Sequence, residues 1–190
     1  MKDIYTGRLV RLSALDADQA SKAFSRWDRD SEFRRLLDSG VAFLPSQKEM
    51  KKWIEKDLDE RSNDQFWFAM RKLDDDTLLG DISLYVVNWT SRDAFVGLGI
   101  GERNFWGKSY GTDAMRVLLR YAFTEVNLKR VTLGVFEYNP RAIRSYEKAG
   151  FRHEGRERKS LNKEGKRWDM LFMSILRDDW MEQNGNRTAN

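Results

Sequence analysis

The sequence predicts an α+β fold of the mixed α/β kind, and three observations lead there. From residue 94 to residue 176, apolar, strand-like runs alternate with amphipathic helical ones. The helical runs carry their own start and stop residues. The 190 residues, 41% hydrophobic and 13% aromatic, suffice for one core, because single domains hold roughly 100–200 residues. No internal repeat or linker-like stretch divides the chain, so residues 1–182 read as one domain and 183–190 as a polar tail expected to be disordered.

Taken in order, residues 8–12 set Leu9 and Val10 among basic neighbours and end at Ser13, an edge-strand pattern. Asp16 opens a helix whose apolar positions Ala20, Ala23, Phe24 and Trp27 fall at i, i+3, i+4 and i+7. Ser46 followed by Glu49 is a capping box, and Met50, Trp53, Ile54 and Leu58 form the stripe behind it. Residues 66–70 and 78–87 read as strands joined by the polar turn at 74–76, and residues 94–100 as a third strand. Residues 109–125 make the strongest helix, with Ala114, Val117, Leu118, Tyr121 and Ala122 on one face. Residues 130–136 are β-branched and apolar, a central strand. Residues 139–149 form a helix with Pro140 at its first position and Gly150 as its C-cap signal. Strands near 151–158 and 168–176 flank a turn at 162–165.

Composition excludes several chemistries. Without cysteine there is no disulfide scaffold, thiol nucleophile or Cys-based zinc site, and the single histidine, His153, excludes a two-His metal site. We expect no metal. The longest apolar run spans five residues, 66–70, against the roughly 20 that a membrane span needs, and the N-terminus lacks the pattern of a signal peptide. A soluble, cytoplasmic protein without a membrane partner is expected. The balance of 34 basic and 30 acidic residues gives +4, with both signs interspersed as on a solvated surface. Lys159, Lys163, Lys166 and Arg167 cluster, but Glu157 and Glu164 lie among them, so no nucleic-acid partner is expected.

The segment from Gly99 to Ala114 holds the first chemical signal: a strand, a loop with Gly107 and Gly111, then an amphipathic helix. Such a loop presents backbone N–H groups at a helix N-terminus, where the dipole favours a phosphate, and Lys108 adds charge. Asp113, in the first turn, would compete for the anion's place. The glycine spacing matches neither a dinucleotide fingerprint nor a P-loop. The second signal runs from Asn139 to Phe151, where Asn139 caps the helix and Tyr146 lies seven residues on, on the same face.

Together these segments resemble the GNAT (general N-acetyltransferase) superfamily. Its pyrophosphate loop reads Q/R-x-x-G-x-G/A; here it is Trp106-Gly107-Lys108-Ser109-Tyr110-Gly111, with Ser109 in place of the middle glycine. The Trp-Gly-Lys start, the Asn139…Tyr146-Glu147-Lys148 helix and the ending through Trp180 resemble the branch that includes ribosomal-protein N-terminal acetyltransferases. The resemblance implies a bent, mostly antiparallel sheet of about seven strands with a V-shaped splay, flanked by helices, and acetyl-CoA as acetyl donor. It implies that backbone at Gly99, Ile100 and Gly101 pairs with the pantetheine arm and meets the thioester oxygen. It implies further that Trp106, Gly107, Lys108, Ser109, Tyr110, Gly111 and Thr112 form the pyrophosphate site, that Asn139 contacts the cofactor, and that Tyr146 is the general acid for the leaving thiolate. In N-terminal alanine acetylating relatives a carboxylate lies five residues before the Asn; here that place is Gly134. Glu137, Asp81 or a chain of water then remain as the base.

The implied activity is acetyl transfer to a primary amine, with a protein or peptide N-terminus ahead of a free small amine. Ser109 and Gly134 keep a non-catalytic acyl-CoA-binding module as the competing reading. Acidic residues between Trp27 and Leu44 fall on the acceptor side by analogy, either drawing a cation or forming a solvated face. A homodimer is consistent with the family.

Overall fold

The computed structural model describes residues 3–60 and 62–185, and among these the chain forms seven strands and six α-helices. They follow as β1 (Val10–Ser13), α1 (Ala17–Trp27), α2 (Ser31–Leu37), α3 (Gln47–Asp59), β2 (Gln65–Lys72), β3 (Leu78–Asn88) and β4 (Asp93–Ile100). A single 3-10 turn, Arg103–Phe105, precedes α4 (Tyr110–Thr124), β5 (Arg130–Phe136), α5 (Pro140–Ala149), β6 (Arg152–Lys163), β7 (Lys166–Leu176) and α6 (Arg177–Gly185).

The strands make one sheet in the order β1-β2-β3-β4-β5-β7-β6. Hairpin-connected neighbours are antiparallel. β4 and β5, joined through α4, run parallel, as a helical crossover requires. Their pairing covers only Asp93–Arg130, Ala94–Val131 and Phe95–Thr132. Beyond it the strands part, and the N-terminal ends of α4 and α5 stand at the opening.

Alternation along β3 shows how the sheet divides the molecule. Ile82, Leu84 and Val86 join the main core with Ala114, Met115, Val117, Leu118, Leu119, Ala122 and Phe123 of α4. At 1.5–3 kcal/mol for each large side chain, α4 is the principal source of hydrophobic stabilisation on this face. Asp81, Ser83 and Tyr85 point to the opposite face, toward α1 and α3. There Ala20, Met50 and Ile54 make a smaller core, and Ala23, Trp27 and Phe33 a third.

Several expectations needed correction. The first strand begins at Val10 rather than Arg8, because the N–H groups of Arg8, Leu9 and Val10 all donate to the Asp113 carboxylate, at 2.9, 2.7 and 3.1 Å. Helix α2 was not anticipated; its seven residues are too short for periodicity to show, and its start is the Asp30 cap, which accepts from the Glu32 and Phe33 amides. Helix α6 was also missed. It continues through Gln183–Gly185, so the disordered tail expected from residue 183 does not begin there; residues 186–190 lie outside the described residues. Trp180 of α6 packs on Phe123 of α4 with ring centroids 5.4 Å apart. The β6–β7 hairpin is longer than expected and turns at Glu164–Gly165, both with positive φ, the geometry of a tight two-residue hairpin.

Candidate active site

The opening between β4 and β5 holds a cavity of about 270 Å³. Of the residues that the sequence pointed to, Gly99, Ile100, Trp106, Gly107, Ser109, Tyr110, Gly111, Thr112, Asn139 and Tyr146 line it. Gly101 and Lys108 do not. The Gly101 N–H donates to the Leu79 carbonyl at 3.0 Å, and a Cβ there would overlap the Trp27 indole. Since N–H groups alternate edges along a strand, the amides of Leu98 and Ile100 lie on the edge facing the opening. Leu98, absent from the sequence reading, lines the cavity.

The loop before α4 is held by side chains. Trp106 Nε1 donates to the Ile100 carbonyl at 2.7 Å, fastening the loop to the end of β4. Gly107 has φ +74° with open space where a Cβ would be. Ser109, at φ 69°, is the N-cap of α4, and its side chain makes no capping bond. The first helical bond runs from Asp113 N–H to the Ser109 carbonyl at 3.0 Å, so the amides of Tyr110, Gly111 and Thr112 have no partner inside the helix. Thr112 and Ser145 hydroxyls lie 2.8 Å apart, joining the start of α4 to the middle of α5. Asp113 is turned to the amides before β1 and is not in the lining. Its charge therefore does not contest the anion site.

Three basic residues of the lining were missed: Arg141, Arg144 and Lys148. Their signal was present, since i, i+3 and i+7 share a helix face. The Arg141 guanidinium stacks 3.9 Å over the Trp106 ring. The lining holds no carboxylate among the described residues. Three cations, unpaired helix-start amides and apolar Leu98, Ile100, Phe105 and Tyr110 together suit a long ligand with an anionic end and an apolar arm.

Asn139 caps α5 by accepting from Ala142 N–H at 3.1 Å, which leaves its amide nitrogen as a donor. Tyr146 is 9% exposed, and burial alone pushes its phenol up to about 12. It keeps its proton at any physiological pH.

A second cavity, of about 380 Å³, is lined on the sheet by Trp67 of β2 and by Asp81, Ser83 and Tyr85 of β3, and shares Phe33 and Leu37 with the first. Its charge is opposite: Asp28, Asp57 and Asp81 against Arg34. Phe24, Trp27, Trp53, Trp67 and Tyr85 complete it. Asp28 and Arg34 pair at 3.5 Å; burial raises the Asp28 pKa against the pull of Arg34. Asp81 accepts from Trp67 Nε1 at 2.8 Å, and burial pushes its carboxyl up to about 6. Glu137 lines neither cavity; its carboxylate accepts from the Asp169 N–H at 3.0 Å. His153 is exposed beside Glu147 at 3.2 Å. Among the described residues no cluster fits a metal ion, and no helix is long and apolar enough to cross a membrane.

The family model described as an acetyltransferase (GNAT) domain matches residues 8–152. A probable N-acetyltransferase of Bacillus subtilis, YjcK, is 33% identical over 132 residues, 69% of either chain. A putative ribosomal N-acetyltransferase of the same organism, YdaF, is 35% identical over 106 residues, 56% of this chain and 57% of that one. Among solved structures, the spermidine N-acetyltransferase of Vibrio cholerae in complex with CoA and spermine superposes with a TM-score of 0.78 at 23% identity, covering 90% of this chain and 98% of that one. A GNAT-family acetyltransferase of Bacillus anthracis gives 0.76 at 19%, covering 92% and 98%. At these identities the two structures speak to the fold.

Proposed function

Because the chain belongs to the GNAT acetyltransferase family, we propose that it moves an acetyl group from acetyl-CoA to a primary amine by direct attack, the acceptor being a protein or peptide N-terminus. Residues 1–182 act in this reading as one catalytic domain. The observation that carries it is the first cavity, with three cations and unpaired amides at one end, an apolar wall along β4, and no carboxylate.

These residues fit coenzyme A. The amides of Tyr110, Gly111 and Thr112, with Arg141, Arg144 and Lys148, would hold its phosphates. Leu98 and Ile100 would pair with its arm, and Asn139 would donate to it. Bound there, acetyl-CoA supplies an acetyl group activated as a thioester. The Ile100 N–H faces the opening as a donor for a carbonyl oxygen that gains charge. Tyr146, protonated and at the cavity wall, gives a proton to the departing thiolate.

A second acceptor reading is a free small amine. Asp28, Asp57 and Asp81 outnumber Arg34 in the second cavity, which favours a compact cation, and the V. cholerae neighbour is a spermidine acetyltransferase.

Thermal-shift titration with acetyl-CoA, CoA and ATP, then thiol release with peptides and polyamines, tests both parts. A ligand at 100 times its dissociation constant stabilises by about 2.7 kcal/mol; we expect this for the two CoA species and not for ATP. Stabilisation without thiol release would leave a binding module. Tyr146→Phe should lower kcat by about 10²-fold, the lower end of general-acid effects, with the acetyl-CoA dissociation constant unchanged; weakened binding instead would make Tyr146 a contact residue only.

A further inference from the structure

Asp81 is a half-buried carboxylate with one side-chain donor, the Trp67 indole at 2.8 Å. An ionised carboxylate offers about four acceptor positions, so its hydrogen bonding is incomplete within the protein. Strand register places it opposite Gly99, and a Cβ built on Gly99 would lie 3.6 Å from Asp81 Oδ1. Gly99 lines the first cavity and Asp81 the second. The carboxylate therefore stands where the two cavities meet, over the strand that borders the proposed acetyl donor. From this geometry we propose that Asp81 is the general base of the reaction and Trp67 its positioning residue, the second cavity delivering the amine to it as an ammonium ion.

The inference rests on the acetyltransferase reading above. The step balances simply: an N–H bond of the ammonium breaks, an O–H bond forms on Asp81, and the neutral amine keeps the lone pair for attack. Glu137 is spent on the Asp169 amide and lines neither cavity. Burial supports the role, because a carboxyl raised to about 6 is still ionised at neutral pH and is a stronger base than an ordinary aspartate. The other titratable and charged groups facing this cavity are Asp28 with Arg34, Asp57 from α3 and Tyr85 from β3. Asp57 and Asp81 raise the Tyr85 pKa through their charges, after burial.

The test is kcat/KM against pH for thiol release from acetyl-CoA, with spermidine and an alanyl tripeptide as probe amines. The wild type should show an acidic limb near pH 6. Asp81→Asn should lose about 10²-fold or more and flatten that limb, with acetyl-CoA binding retained in the thermal-shift assay. Trp67→Phe, which removes the donor that holds the carboxyl pKa down, should move the limb to higher pH with a smaller loss. In parallel, the Trp67 indole N–H resonance should titrate near pH 6 in the wild type and not in Asp81→Asn. An unchanged limb with activity within two-fold in Asp81→Asn, or an indole signal that does not titrate, overturns the role of Asp81 while the acetyltransferase reading stands. A wild type that releases no thiol with either amine, though it binds acetyl-CoA, overturns both.

Discussion

Ser109 occupies a left-handed backbone position, φ 69°, where the family's loop carries glycine. For an L-residue that conformation costs about 1–2 kcal/mol, and with no capping bond from its hydroxyl nothing local offsets it. Ser109→Gly should raise stability by about 1 kcal/mol, read as a higher melting temperature, and should leave the helix start intact. Asp81 carries the opposite kind of cost. Its carboxyl moves from an ordinary 3.8 to about 6 through burial, so its favourable contribution is present below pH 3.8 and is lost as pH rises through 6. At full burial the difference is about 3 kcal/mol; with cavity water reaching the group we expect about 2. Asp81→Asn should therefore be more stable than the wild type at pH 8 and gain little at pH 3.5, measured by denaturant unfolding at both values. That cost fits the base role proposed for Asp81.

At the scale of elements, α4 does two things at once. Its inner face carries the main core, and its first turn presents both unpaired amides to the cavity and Asp113 to the chain before β1. Asp113→Ala would leave three backbone N–H groups without their acceptor, and we expect a loss of about 3 kcal/mol or more, seen as a lower denaturation midpoint. α5 supplies the cavity's cations. Replacing Arg141, Arg144 and Lys148 together by alanine should weaken acetyl-CoA binding at least ten-fold with little change in melting temperature, because all three line the cavity, Arg141 stacked on the Trp106 ring, and none belongs to the buried core. The capping signals that opened α1, α3 and α5 in the sequence are the ones the structure uses, at Asp16, Ser46 and Asn139. α2 escaped because seven residues hold two turns, and α6 because its residues carry no apolar stripe.

On the scale of the whole molecule, two cavities of opposite charge adjoin at Asp81 and Gly99, and β4 gives the basic one its wall. This arrangement predicts opposite partners for the two sides and the same response to salt. Raising ionic strength from 50 to 500 mM should weaken acetyl-CoA binding and raise KM for a cationic acceptor, since each contact draws on unlike charges that counter-ions screen. A neutral acceptor side would leave KM unmoved.

Sequence alone determined the seven strands and four of the six helices, most of their boundaries, the loop before α4 and the capped helix with its tyrosine. Each of these rests on signals that act within a few residues: caps, periodicity, a proline at a first helical position, glycine at a turn. Tertiary structure decided the rest. Asp113 looked like a rival to a bound anion until the N-terminal segment, more than a hundred residues away, took its carboxylate. Gly101, expected at the cofactor, lies outside the cavity lining, and the Trp27 indole rests against it. Asp81 and Glu137 were equal candidates along the chain; the register of β3 on β4 set one above Gly99, and the pairing of β5 with β7 set the other against Asp169. Which carboxylate meets a cavity depends on strand register and on segments far apart in sequence, and no local pattern encodes that.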